Sequence, residues 1–471
     1  MPAPSDAGMG LAALQGRVPL DVAPELSVRC ALRQMHRARA DCVVVLDTAS
    51  RRPLGILTLR DVLARVVLAD EVLDQVVAGV MTGGVVALPC DADIHQARLR
   101  LASHALRHLV LVDGAGRFAG VLARGDLYAS RHGRDDDLVE RIQAARSPAE
   151  LAAAAASVRE AAAARAEQGE GAEGLGTWIA ILNDLIALAA IDLAEADFDL
   201  PLVPWCWLAF GSEGRLEQTL ATDQDNGLIF AASGEDEPDR LRARFLPFAE
   251  RVNRLLDACG FPLCKGGVMA SNPKWCLSEG EWRARFAEWM RAASADDLLN
   301  ATIFFDFRPL AGDGSLAAAL QRWLLGNAAD NALFLRFMAI NALRGGPPLG
   351  RIRDFVVDRG SGLLDLKRDG CRPFVDAARI YALALGLTPT STAARLRAAG
   401  GELRWDERET RAVVDAFGFI QQLRLRQQRT TPGTPNQVSP GALSALDRAF
   451  LKESFRQARR LQQKLQTRYQ L

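Results

Sequence analysis

Short apolar runs open this chain in two matching blocks. The first predicts a helix over 28–39, a strand over 42–46, a Gly/Asp turn over 47–52, and a strand leading into a helix over 53–63. The second repeats that order, with a helix over 94–105, a strand over 108–112, a turn over 113–116, and a strand leading into a helix over 118–127. Brief β-branched runs without polar alternation read as strands buried on both faces. Neither block is large enough to bury a sufficient core alone, so the two are expected to pack as one unit.

The pattern then changes. Residues 135–165 are charged, then Ala-rich, as in a helical connector, and 169–176 form a Gly/Glu-rich break that predicts an exposed loop. The apolar stretch 178–196 contains Asn183, Asp184 and Asp192, which suits a buried helix better than a membrane span, and Pro201 and Pro204 end it. Strands are predicted over 205–210, 223–230 and 301–308, with a long helix over 238–259. Beyond about Ser315 the pattern is helical almost throughout, and Ser439 with Pro440 predicts the start of a final helix running toward Tyr469. The expected organisation is α/β multidomain: a tail (1–17), the tandem unit (18–132), a connector (133–176), an α/β domain (177–314) and a helical domain (315–471).

Charge and cysteine usage narrow the function classes. Lys plus Arg equals Asp plus Glu at 57 each, so the formal net charge is zero, which argues against a broad nucleic-acid-binding surface. The last fifty residues are locally basic, either as a solvated helix face or as a site for an acidic partner or nucleotide tail. The first ten residues lack a basic segment and an apolar core, so no signal peptide is read. The eight cysteines include no Cys-x-x-Cys, and Cys259 and Cys264, the closest two, have no histidine nearby to complete a zinc site. Free thiols in a reducing cytoplasm, with no membrane partner, are the expectation.

The candidate chemistry sits at Gly211-Ser212-Glu213-Gly214-Arg215-Leu216-Glu217, followed by Thr222-Asp223-Gln224-Asp225. On a strand, Asp223 and Asp225 would face the same side, with Cα atoms about 6.5–7 Å apart. Two such carboxylates repel unless a divalent cation joins them. Magnesium, with its oxygen-only ligation, suits them, and a pair of ions could activate a hydroxyl and stabilise a leaving pyrophosphate. Gly211 and Gly214 would let backbone amides approach phosphate, Ser212 adds a hydroxyl, and Arg215 would meet a triphosphate or pair with Glu217. A third carboxylate is expected on a neighbouring strand. Asp306 is the candidate, and because burying it unpaired is costly it needs either a metal or an ion pair with Arg308.

Residues 18–130 resemble a tandem CBS-domain pair. Its local mark, a Ser/Thr three residues before an Asp, stands as Thr58 and Asp61 in the first copy, while the second has Ala123 and keeps Asp126. The resemblance implies that Thr58, Asp61 and Asp126 face a bound adenine nucleotide; helix N-capping is the alternative role for both aspartates. Residues 211–229, the block Gly266-Gly267-Val268-Met269-Ala270-Ser271-Asn272-Pro273-Lys274-Trp275, and 304–308 resemble polymerase-beta-like nucleotidyltransferases. They are closest to the branch of the PII uridylyltransferase and the glutamine synthetase adenylyltransferase, and to the predicted nucleotidyltransferases that follow CBS pairs in bacterial signalling proteins. The C-terminal half, with Arg368-Asp369-Gly370 and Leu446-Asp447-Arg448, is similar to their helical substrate-binding domain.

The resemblance implies Asp223, Asp225 and Asp306 as magnesium ligands, with Gly211 and Ser212 at the phosphates. It further implies an NTP as substrate, a hydroxyl acceptor, in the first place on a protein, and homodimerisation through the CBS pair. A catalytically silent nucleotide sensor and transfer to a small molecule are the alternatives.

Overall fold

Thr58 and Ala123 hold the same register position in two copies of one small sheet. In the first, β1 (Asp21–Val22) runs parallel to β2 (Cys42–Leu46), which pairs antiparallel with β3 (Pro53–Thr58) and places Cys42 opposite Thr58. In the second, β5 (Ala87–Pro89) runs parallel to β6 (His108–Val112), which pairs antiparallel with β7 (Phe118–Ala123) and places His108 opposite Ala123. Both copies break register at the same point, between Val45 and Leu46 and between Leu111 and Val112. An extra short strand, β4 (Thr82–Gly83), closes the edge at β3. This computed structural model describes residues 20–38, 40–62, 65–66, 73–90, 92, 97, 101, 108–123, 133–168, 170–234, 237–291, 298, 301–350, 355–358, 360–430, 434 and 436–471. The chain divides into two units, Met1–Val139 and Glu140–Leu471.

In the first unit, Val43 and Val45 of β2 pack with Val28, Ala31 and Met35 of α1 (Val28–Ala38). Val44 and Leu46, on the opposite face of the strand, pack with Val110 of the other copy. Both faces are therefore buried, which is why the run shows no alternation. α2 (Leu59–Val62) follows β3 directly. Most of the helix expected over 94–105, and Asp126, lie outside the described residues.

The division between the units falls within α3 (Gly133–Ala144), and α4 (Pro148–Glu167) and α5 (Ala172–Glu195) follow in the second. The loop expected over 169–176 is shorter than its glycines suggest, because α5 already starts at Ala172. By length and composition α5 includes the only helix among the described residues long and apolar enough to cross a membrane. Its polar residues explain where it sits. Asp184 bonds Arg308 at 2.6 Å and Asn183 donates to Gln218 at 3.2 Å, both inside the unit.

β8 (Trp205–Phe210) enters α6 (Gly211–Gly214), and β9 (Asn226–Phe230) returns beside it. α7 (Glu237–Ala258), β10 (Cys276–Ser278), α8 (Glu279–Met290) and β11 (Phe307–Gly312) complete the layer, in strand order β10-β9-β8-β11. Asp223 and Asp225 thus precede the strand rather than lie on it. The strand expected over 301–308 is a 3-10 turn, Thr302–Phe305, before β11. Consecutive Phe304 and Phe305 are both buried, which a strand's alternation would prevent within one core. Phe304 packs at 4.1 Å from Trp275 and 5.0 Å from Trp289, while Phe305 reaches Phe334 at 5.4 Å.

Among the described residues six further helices follow: α9 (Gly314–Ala329), α10 (Ala332–Leu343), α11 (Arg372–Leu385), α12 (Thr392–Glu402), α13 (Glu407–Thr430) and α14 (Ala445–Tyr469). Between them lie a two-stranded ribbon, β12 (Leu364–Asp365) with β13 (Gln437–Val438), and a π turn over Leu366–Cys371. Ser439 and Pro440 open only a 3-10 turn, and the final helix starts later, capped by the Ser444 hydroxyl accepting from the Asp447 amide at 3.0 Å. One buried cluster runs from Cys206 and Phe210 of β8 to Leu465 of α14. The boundary expected at 314/315 therefore carries no break in the core.

Candidate active site

The turn after β8 is shaped by glycines that do two different jobs. Gly211 has φ +57, and a Cβ there would sit 3.1 Å from Asp225 Oδ2 and 3.0 Å from Ile303 Cγ1. Its missing side chain is what lets the turn approach the aspartate. Gly214 is buried, and a Cβ on it would strike the backbone carbonyls of Asp306 and Ala209. That close packing accounts for Gly214 without a phosphate. Ser212 is half-buried in the same turn, and its carbonyl accepts from the Glu217 amide at 2.8 Å.

The two aspartates are held by the residues beside them. The Gln224 amide donates to the Pro262 carbonyl at 3.1 Å, and its side-chain nitrogen donates to the carbonyls of Phe261 at 2.8 Å and Asn253 at 2.9 Å. The Asn226 amide donates to the Val268 carbonyl at 3.1 Å, and its side-chain oxygen accepts from Ala270 N at 2.8 Å. Asp225 lies between these two anchors, and the Cys264 thiol donates to its Oδ1 at 3.5 Å. Asp223, Asp225 and Cys264 bring one donor atom each within 4.8 Å of one another. Burial, with the neighbouring Asp223 carboxylate second, pushes Asp225 up to about 7. A divalent cation would offset both effects, so the pair fits such an ion.

Asp306 is not in that group. It is completely buried and receives three guanidinium groups: Arg215 Nη1 at 2.7 Å, Arg379 Nη2 at 2.6 Å, and Arg395 Nη1. Arg379 and Arg395 come from α11 and α12. They outweigh the burial that would raise its pKa and hold the carboxyl well below the usual range. Arg308, a candidate partner from the sequence, instead bonds Asp184 at 2.6 Å and the Glu213 carbonyl at 3.1 Å. Arg215 is shared between Asp306 and Glu217, the latter at 2.8 Å, so it is a structural pair rather than a free cation beside the turn.

Several residues at the site carried no local signal in the sequence. Cys264 stands in no metal-binding motif of its own. Glu213 lies within the turn, and burial pushes it up to about 8 despite the opposing Arg308 charge. Lys367, on the π turn, is a cation whose field lowers Asp225. On α13, Gln428 donates to the Thr219 hydroxyl at 2.9 Å and accepts from the Ala221 amide at 3.2 Å, bracing the loop before Asp223. Asn272 and Lys274 shape the adjacent loop. Asn272 donates to the Gly267 carbonyl at 2.8 Å and accepts from the Lys274 amide at 3.1 Å, and the Trp275 indole donates to the same carbonyl at 3.0 Å.

In the first unit, Asp61 Oδ2 accepts from the Thr58 hydroxyl at 2.6 Å and the Thr58 amide at 2.9 Å, and the Asp61 amide donates back to Thr58 Oγ1 at 3.3 Å. Thr82 donates to Asp61 Oδ1 at 3.0 Å. The pair therefore caps the start of α2.

The raised carboxyls predict an unusual pH dependence. Glu213 and Asp225 ordinarily ionise near 4.5 and 3.8, but in the fold they keep their protons until about 8 and about 7. Between those limits the unfolded chain has released protons that the folded chain retains, so stability of the metal-free protein falls as pH rises from about 5 to about 8. Glu213→Gln is expected to flatten that decline, read as urea midpoints at pH 5 and pH 8. An unchanged slope in the variant would refute the assignment.

Residues 156–296 match the family described as "Putative nucleotidyltransferase DUF294", and 332–469 match "Putative nucleotidyltransferase substrate binding domain". Residues 17–68 and 77–133 match the CBS domain. Among solved structures, the chain is similar to a CBS domain protein from Pyrobaculum aerophilum complexed with AMP, at 24% identity over 26% of this chain and 92% of that one, TM-score 0.25. It is also similar to a CBS-domain containing protein from Agrobacterium tumefaciens, at 29% identity over 26% and 98%, TM-score 0.24. No curated protein matches the chain.

Proposed function

We propose, for a chain that carries a CBS pair, a domain of the DUF294 nucleotidyltransferase family and that family's substrate binding domain, that it is a magnesium-dependent nucleotidyltransferase. It moves a nucleoside monophosphate from an NTP to a hydroxyl on a protein. The carrying observation is the approach of Gly211 to Asp225, which sets a backbone turn able to meet phosphate against a carboxylate pair able to hold a cation. Asp223 and Asp225 hold the ion, and Gly211 and Ser212 receive the phosphates. A divalent ion held by Asp223 and Asp225 would supply the positive charge that offsets the phosphates and the departing pyrophosphate. The enclosing chain supplies positioning and fixed charge, with Lys367 as a cation whose field reaches Asp225. The resemblance of 211–229 to enzymes that modify signalling proteins supports a protein acceptor.

An adenine nucleotide at the CBS pair regulates transfer in this reading. Thr58 and Asp61 already lie within hydrogen-bond distance of each other at the position expected to face phosphate and ribose. Regulation requires that the effector bind two conformations with different affinity.

The experiment is to incubate the protein, Mg2+ and each α-labelled NTP with a lysate, with and without AMP, and to identify modified proteins by mass spectrometry. Incorporation into a protein that AMP raises or lowers is the expected result. One observation favours a second reading, a nucleotide-binding scaffold without chemistry: the carboxylate expected to complete the metal set is caged by arginines. Mg2+-dependent NTP binding with no incorporation from any NTP would select that reading.

A further inference from the structure

We propose that Cys264 is the third protein ligand of the cation held by Asp223 and Asp225, so that the magnesium site is a mixed carboxylate–thiolate one that also takes borderline divalent ions of the Zn2+ and Co2+ class. The inference rests on the metal-binding reading of the two aspartates. Its geometric basis is the way the 261–270 loop is fastened to the aspartate segment. Gln224 binds Phe261 and Pro262 on one side of Asp225, and Asn226 binds Val268 and Ala270 on the other. Cys264 falls between those anchor points, and its carbonyl accepts from the Gly267 amide at 2.9 Å in a turn where Gly267 has φ +65. The chain can therefore present the sulfur in few places, and it presents it to Asp225 Oδ1 at 3.5 Å with Asp223 in reach. Asp306, the carboxylate expected to complete the set, has its oxygens occupied by three guanidinium groups. The site thus has two hard oxygen donors and one soft sulfur donor. Thiolate favours zinc-like ions, whereas magnesium prefers oxygen alone.

The test uses the full chain, stripped of metal with a chelator, and Co2+ as the probe. Titration should produce a thiolate-to-cobalt charge-transfer band that saturates. Cys264→Ser should remove the band and weaken Zn2+ binding by at least about 10–100-fold, the range that loss of an outer-shell partner alone produces. Asp223→Asn with Asp225→Asn should also remove the band, which separates this site from the other seven cysteines. Cys264→Asp, an all-oxygen site, should lose the band yet bind Mg2+ more tightly than the wild type does. A band that survives Cys264→Ser, or one that ignores the double aspartate change, overturns the proposal. So does the absence of any band in a wild-type protein that still binds Mg2+ with NTP. If that protein binds neither Co2+ nor Mg2+ with NTP, the reading of the two aspartates fails, and this proposal with it.

Discussion

Asp306→Ala is expected to destabilise the Glu140–Leu471 unit by about 3–5 kcal/mol, the range for removing one partner of a buried ion pair. Asp306 is 0% exposed and sits among Arg215, Arg379 and Arg395. Alanine leaves three buried guanidinium groups sharing only the carboxylates at the edge of the cluster, Glu217 with Arg215 and Asp376 with Arg379 at 2.7 Å. The loss comes mainly from uncompensated buried charge, since the intact pair itself need not be worth much. Asp306→Asn keeps the shape but not the charge, and should fall between alanine and wild type. Adding Arg379→Met to Asp306→Ala removes one of the stranded cations and should recover part of the loss, which a double-mutant cycle in urea would measure. Wild-type-like urea midpoints for Asp306→Ala would refute the caged placement. The carboxyl is held below its ordinary range, so its contribution is present above about pH 4 and lost as pH falls through the folded value. The cage also links Arg215, directly after the Gly211–Gly214 turn, to α11 and α12. Loss of nucleotide binding in Asp306 variants should therefore accompany unfolding.

Asp223→Ala with Asp225→Ala should behave in the opposite way, losing function while keeping the fold. Mg2+-dependent NTP binding should vanish, and transfer should fall by on the order of 10³-fold or more, at least what removing one preorganised electrostatic donor produces. The metal-free double variant should be no less stable than wild type above pH 7. There it no longer carries the half-buried Asp225 charge beside Asp223, which burial and repulsion oppose. Labelled-nucleotide incorporation and urea midpoints, measured on the same preparations, decide the matter. Incorporation that survives both changes would remove these residues from the chemistry. Taken together, the two sets of variants separate a carboxylate that holds the fold from two that serve the site.

The local parts of this architecture were legible because they rest on periodicity and turn chemistry. The strands 42–46, 108–112 and 205–210 stand where their apolar runs place them, and the repeat between Thr58 and Ala123 is reproduced down to its register break. The misjudged elements are those where local signals conflict. Ile303 to Phe305 are apolar without alternation, which composition alone assigns to a strand, yet two adjacent phenylalanines enter the same aromatic core. Ser439 and Pro440 carry a strong helix-start signature but open only a 3-10 turn, while Ser444 provides the functional cap.

The sequence by itself determined that Asp223 and Asp225 belong together, because two residues of spacing leaves them little choice, and that a buried Asp306 must have a partner. It could not say which partner. Arg379 and Arg395 lie 73 and 89 positions away and Arg215 lies 91 away, while Cys264 reaches Asp225 across 39. Only the tertiary structure decided that arginines from two helices claim Asp306 and that a thiol stands beside the aspartate pair. Desolvation makes a partner obligatory at the level of one residue, but which group supplies it is settled by how distant segments pack.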